Sequence, residues 1–282
     1  MAKILIGCFL AFLLPVILAA FLVPDVFFSK NQATQISKTE PVDAQALSSS
    51  PSSLSVSEAI DSNGKIYVEV PSSEDLDPKP TGIFLASVKF IFSKLPEEGK
   101  SVRFFTKYQE DKWPFPGWGL KIKRQTGSIR PEVYWMGTNG RGGWYSFGEM
   151  DLKEDHWSSL SIAVDRKNSI SLYFQDLDNE ADSTGIVLPK FVGGFTVSEI
   201  PLPVSQGSLK LLLPVSSKNS DIGSIHDLLV ARLEQPEGAM LKLVNGGPSE
   251  MAQRIKTENI NLWVDARGRD RSSKARKLIR SE

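Results

Sequence analysis

Cysteine is almost absent from this chain: Cys8 is the only one, and it lies inside an N-terminal apolar run. That excludes a disulfide framework, a thiol nucleophile and a cysteine metal cage, so the folded part must rest on its hydrophobic core. Histidine is nearly as scarce. His156 and His226 alone cannot build a poly-histidine metal centre and leave little scope for a Ser-His-Asp arrangement. Charge of one sign is not in excess either, because 33 Lys and Arg balance 33 Asp and Glu. No global field draws a polyanion, and no nucleic-acid partner is expected. Amphipathic helices are missing as well, apart from one short helix expected after Pro248.

The first feature present is an uncharged run from Ile4 to Val23, preceded only by Met1-Ala2-Lys3. It is about as long as the ~20 residues that cross a bilayer as a helix. Residues 1–28 therefore read as a signal anchor, with the membrane as partner and the folded part on the extracytoplasmic side. The rival is a cleaved signal peptide, although Leu18-Ala19-Ala20 is a poor cleavage site. Leu5-Ile6-Gly7-Cys8 has the pattern of a lipobox, but a lipobox follows its apolar stretch, and here most of that stretch comes after Cys8.

Residues 29–61 are rich in Ser, Gln, Thr, Asp and Pro, with Ser48-Ser49-Ser50-Pro51-Ser52-Ser53 at their centre. So little apolar surface cannot offset chain entropy, and the segment reads as a flexible spacer. Residues 62–245 form the folded domain, and 246–282 a short helix followed by a basic tail. From Gly246 to Glu282 nine basic residues face five acidic ones. Such a tail reads as disordered and solvated.

Within the domain, apolar and polar residues alternate over short windows separated by Gly, Pro, Asn and Asp. Strands are expected at 65–70, 83–92, 101–108, 119–124, 131–136, 144–152, 158–165, 169–175, 208–213 and 224–233. Many short strands at this spacing predict an all-β antiparallel sandwich or jelly roll. Asn139-Gly140 supplies the positive φ of a tight hairpin between two of them.

Several of these segments resemble laminin-G-like domains. Lys65-Ile66-Tyr67-Val68-Glu69-Val70-Pro71 is similar to the opening strand of that family, and His156-Trp157-Ser158-Ser159-Leu160-Ser161-Ile162-Ala163-Val164-Asp165 to its Trp-led strand. Ile170-Ser171-Leu172-Tyr173-Phe174-Gln175-Asp176 and Ile222-Gly223-Ser224-Ile225-His226-Asp227-Leu228-Leu229-Val230 resemble two later strands. The resemblance implies a concanavalin-like sandwich and places Trp157 at the start of an inner strand. Leu177 stands where the family has Gly.

Three constellations could carry function. Five of the six tryptophans fall between Trp113 and Trp157. Trp113, Trp118 and Trp144 could stack on sugar rings while Asn139 and Arg141 bond to hydroxyls, which gives a glycan-binding site. Glu149, Asp151 and Glu154 fit the E-x-D-x-x-E pattern of laminarinase-type glycoside hydrolases; alternation puts the first two on one face with Tyr145 and Phe147, and a bulge would bring in Glu154. Asp176, Asp178 and Glu180 space oxygen ligands as a calcium loop does, although Ala181 stands where such a loop wants Gly. The leading expectation is a non-catalytic, membrane-anchored module that binds glycan. The alternatives are a glycoside hydrolase using the three carboxylates and a structural envelope subunit bound to a protein partner.

Overall fold

A computed structural model describes residues 67–109, 115–165, 167, 169–178, 189–197, 199–213, 223–234 and 240–280. The expected membrane span at 4–23 and the spacer lie outside these residues, as do Trp113 and Glu180. Among the described residues no helix is long and apolar enough to cross a membrane.

Thirteen strands are described: β1 (Val68–Val70), β2 (Ile83–Ile91), β3 (Ser101–Tyr108), β4 (Gly117–Gln125), β5 (Ser128–Met136), β6 (Gly142–Ser146), β7 (Ser158–Val164), β8 (Ser169–Asp176), β9 (Lys190–Thr196), β10 (Leu209–Leu211), β11 (Ser224–Leu233), β12 (Ile260–Val264) and β13 (Ile279–Arg280). They form two antiparallel sheets with the orders β13-β1-β10-β3-β4-β5-β6 and β12-β11-β2-β7-β8-β9. The expected sandwich is therefore present.

Its inter-sheet core follows from the period-two pattern. Trp118, Leu120 and Ile122 of β4, with Val133 and Trp135 of β5, face Leu160 and Ile162 of β7 and Leu228 and Val230 of β11 across the gap. Strand β2 lies at the centre of its sheet, and its sequence IFLASVKFI is buried at every position except Lys89. The second apolar layer explains that near-continuous run. Helices α1 (Met240–Val244) and α2 (Pro248–Arg254) cover the outer side of the six-stranded sheet, where Leu243, Val244 and Met251 pack on Leu85, Leu229 and Ala231.

The helix expected after Pro248 is α2, with proline at its first turn. The basic tail is not a free appendage. Strand β12 extends the six-stranded sheet beside β11, and β13 pairs with β1 at the edge of the other sheet. The sandwich therefore runs past the expected limit at 245. Four of its basic residues are paired: Asp75 binds Lys274 and Arg276, Arg276 also reaches Asp270, and Asp265 binds Arg269 and Arg271. Alternation along 260–264 was masked by the Arg-rich stretch that follows it.

Burial alone would raise the Asp75 carboxyl. Hydrogen bonds from Lys274 and Ser73 and the charges of Arg276 and Lys274 outweigh it and hold the group below its ordinary 3.8. A depressed carboxyl stabilises the fold above its unfolded value and loses that contribution as pH falls through the folded one. Asp75→Asn is accordingly expected to lower the urea midpoint at pH 6, and the gap from wild type should close as pH drops below about 3.8. A gap that stayed constant down to pH 2.5 would mean that the ion pairs do not hold the tail.

Trp157 departs from the expected inner position. It shares the odd-numbered side of β7 with Ser159, Ser161 and Ala163, away from the core residues Leu160 and Ile162. There it is half-buried, with Lys89 over its ring at 5.3 Å and the His226 ring edge-on at 5.3 Å. Alternation from Leu160 back to residue 157 fixes that side.

Candidate functional site

The outer face of the six-stranded sheet is covered by helices; among the described residues no α-helix covers the outer face of the seven-stranded one. The outer side of the seven-stranded sheet carries a cluster of aromatic and charged side chains. A bulge in β3 arranges them. The register between β3 and β4 shifts between Arg103 and Phe105, so Phe104 and Phe105 both enter the core, leaving Arg103, Thr106 and Tyr108 on the outside. On β4 the outer positions are Gly119, Lys121 and Lys123; on β5 they are Arg130, Glu132 and Tyr134; on β6 they are Trp144 and Ser146.

These residues stack in rows. Thr106, Gly119, Tyr134 and Trp144 are registered across β3 to β6, and the next row is Arg103, Lys121, Glu132 and Ser146. Gly119 lets β3 and its Thr106 methyl approach closely: a Cβ there would lie 2.9 Å from the Phe105 carbonyl oxygen and 3.1 Å from Thr106 Cγ2. Tyr134 lies 5.6 Å from Tyr108 and 5.2 Å from Trp144, centroid to centroid, so three rings form a continuous aromatic patch. Two cations lean on its edge: Lys121 Nζ lies 4.2 Å from the Trp144 centroid and the Arg103 guanidinium 5.6 Å from it.

Polar bonding fixes the set. Lys121 pairs with Glu132 at 2.8 Å, and Ser146 Oγ donates to the same carboxylate at 2.8 Å. Arg103 Nη1 donates to the Tyr108 hydroxyl at 3.1 Å, and Tyr134 donates to the Phe115 carbonyl at 3.0 Å. Burial pushes the Tyr134 phenol well above its ordinary range, so Tyr134 stays protonated as a donor. Burial likewise lowers the Lys121 ammonium, against the opposing pull of Glu132.

The expected glycan ligands divide. Trp144 belongs to this face. Trp118 does not, and its assignment is corrected: it is 1 % exposed and wedged in the core, edge-on to Phe84 at 4.9 Å and to Phe105 at 5.5 Å. One residue of alternation separates it from the outward Gly119. Asn139 and Arg141 lie in the exposed loop 137–141 between β5 and β6. Gly140 takes the positive φ of 78° that the turn needs, while Asn139 instead accepts a hydrogen bond from the Arg141 amide at 3.0 Å.

The three carboxylates expected to catalyse hydrolysis are not gathered on the face with Tyr145 and Phe147. Strand β6 ends at Ser146; beyond it Phe147, Met150 and Leu152 turn into the core and Glu149 and Asp151 turn out. Glu149 is bound by Arg130 at 2.8 Å, while Glu154 accepts the Leu95 amide at 2.9 Å. Hydrogen bonds from Arg130 and Ser128 hold the Glu149 carboxyl below its usual range, opposite to what a general acid needs. Of the proposed calcium ligands, Asp176 bonds to Lys153 and His156 at 3.3 Å each, and Asp178 accepts the Trp157 amide at 2.6 Å.

Arg103, Lys121, Glu132 and Tyr134 were missed by sequence reasoning. The signal was available in GLKIKR and RPEVYW, where charged and aromatic residues alternate with core residues on two adjacent strands.

No protein-family model matches the chain, and no curated protein does. Solved structures with similar backbones exist. The enzymatically active domain of tailspike protein 2 from bacteriophage CBA120 is 13% identical with a TM-score of 0.38, over 59% of this chain and 23% of that one. An alginate lyase from Alteromonas sp. 272 is 14% identical with a TM-score of 0.28, over 53% and 68%. A GH43 glycoside hydrolase is 9% identical with a TM-score of 0.28, over 58% and 35%. The chain thus spans about a quarter of the tailspike domain. Against the expectation of a non-catalytic module, these solved structures are of enzymes, an alginate lyase and a glycoside hydrolase among them. At such scores the likeness extends to the β-sandwich alone and singles out neither a laminin-G-like domain nor an activity.

Proposed function

We propose that the protein is carbohydrate-active and that the outer face of β3 to β6 seats a polysaccharide. The observation that carries this reading is the juxtaposition, on the outer face of the seven-stranded sheet, of the Tyr108, Tyr134 and Trp144 rings with Arg103, Lys121 and Glu132. Aromatic faces stack on the apolar faces of pyranose rings, and charged donors and acceptors beside them bind hydroxyls. A shallow platform of this kind suits a long chain better than a small molecule. Tyr108, whose oxygen accepts from Arg103, is the group we assign to proton transfer at the scissile bond. The apolar run Ile4–Val23 would anchor the protein, with the spacer carrying the domain outward.

The test is affinity electrophoresis of the full chain in gels holding different polysaccharides, together with a size assay of the polymer after incubation. Wild type is expected to be retarded by a polysaccharide and to shorten it. Trp144→Ala should weaken retention about tenfold, equivalent to about 1.4 kcal/mol. Tyr108→Phe should keep retention and lose the shortening. Retention with no shortening would remove the role given to Tyr108, and no retention by any polysaccharide would overturn the reading.

A further inference from the structure

On this face two pairs of like charges sit side by side. Arg103 is registered directly across from Lys121, and Lys123 directly across from Arg130. Cations opposite one another on neighbouring strands, with Cβ atoms about 5 Å apart, destabilise a sheet. The protein places four of them in two consecutive rows. Local carboxylates answer only half of the set, Glu132 on Lys121 and Glu149 on Arg130, each at 2.8 Å. Glu132 is already shared with Ser146 and is 4 % exposed, so it has little left to give. Among the described residues no carboxylate pairs with Arg103 or Lys123, and Arg103 Nε finds no acceptor.

The rows are also spaced along a line. Lys121 and Lys123 are two residues apart on the same side of β4, about 7 Å at strand rise, a step on the order of one sugar unit. The aromatic patch lies one step further back, at Gly119. We infer, resting on the reading of this face as a polysaccharide platform, that the substrate is an acidic polysaccharide bearing a carboxylate or sulfate on successive sugars. It runs along β4 from the aromatic patch toward Lys123, with one anionic group between Arg103 and Lys121 and the next between Lys123 and Arg130. A neutral glycan would leave both repulsions in place; an acidic one relieves them on binding.

Titration calorimetry of the full chain separates the possibilities, using polygalacturonate and its methyl ester, dextran sulfate and dextran, and single-stranded poly-dT. At least one acidic polymer is expected to bind tenfold or more tightly than its neutral counterpart, with affinity falling as salt rises. The tighter of polygalacturonate and dextran sulfate identifies carboxylate or sulfate as the group recognised. Arg103→Gln and Lys123→Gln should each weaken that binding about tenfold while leaving the thermal midpoint unchanged or higher, because each removes one member of a repelling pair. Equal affinity for acidic and neutral polymers, with loss in Trp144→Ala, would overturn the inference while sparing the platform. Binding of poly-dT as tight as that of the acidic glycans would overturn both, as would binding of none of the polymers.

Discussion

Replacing Lys107 with methionine is expected to cost about 3–5 kcal/mol of stability, among the largest effects of any single change in this domain. The Lys107 ammonium is fully buried at the end of β3 and lies 2.8 Å from both oxygens of Asp77, which is 3 % exposed. It also donates to the Ser205 carbonyl at 2.5 Å, and the Ser205 amide donates back to Asp77 at 3.4 Å. One ammonium thus fastens the turn at 74–77 and the loop around 205 to the sheet. Burial draws both partners toward their neutral forms, raising Asp77 and lowering Lys107; their mutual contact is the chief opposing influence, with the Ser205 amide also favouring the Asp77 carboxylate. Deleting the lysine leaves a carboxylate out of water with no counter-charge. The double variant Lys107→Met/Asp77→Leu removes that penalty and should recover most of the loss. Urea denaturation of the two variants measures both halves; a single variant as stable as wild type would mean that the pair does not hold these loops.

Two tryptophans only one cross-strand neighbourhood apart should behave in opposite ways. Trp118→Ala empties a large volume between Phe84 and Phe105 and is expected to cost about 3–5 kcal/mol. Any effect it has on polysaccharide retention should follow the loss of folded protein. Trp144→Ala removes a half-buried ring from the edge strand and should cost about 1 kcal/mol or less while weakening binding directly. Denaturation midpoints and gel retardation measured together separate the two. If Trp118→Ala kept its midpoint and lost retention, the division between core and outer face would be wrong.

That contrast marks what the residues disclosed by themselves. The strands from β1 to β8, with β10 and β11, were legible in place because most alternate or, like β2, are bounded by turn residues, but the bulge in β3 was not, and the strand expected at 144–152 ends at Ser146. Strand β9 was not, since Gly193 and Gly194 interrupt its pattern within Lys190–Thr196. Strand β12 was hidden in the long excess of Arg and Lys after it, whose partners Asp75, Asp265 and Asp270 are plain only once the chain has folded back. The face of Trp118 could not be fixed without the bulge in β3 and the phase of β4. The platform was invisible for a related reason: Arg103, Lys121, Glu132 and Trp144 come from four strands, and only the register brings them into reach.

The last strands of the chain join strands near the beginning of the domain, β13 with β1 and β12 with β11 beside β2. Neither sheet can therefore be completed before β12 and β13 have joined it. Pairings between such distant segments close slowly, because the loop entropy is spent before the contacts repay it. The consecutive pairings of β3 to β6 and of β7 to β9 have no such delay, so the seams at β1 and β11 are the expected late events of folding.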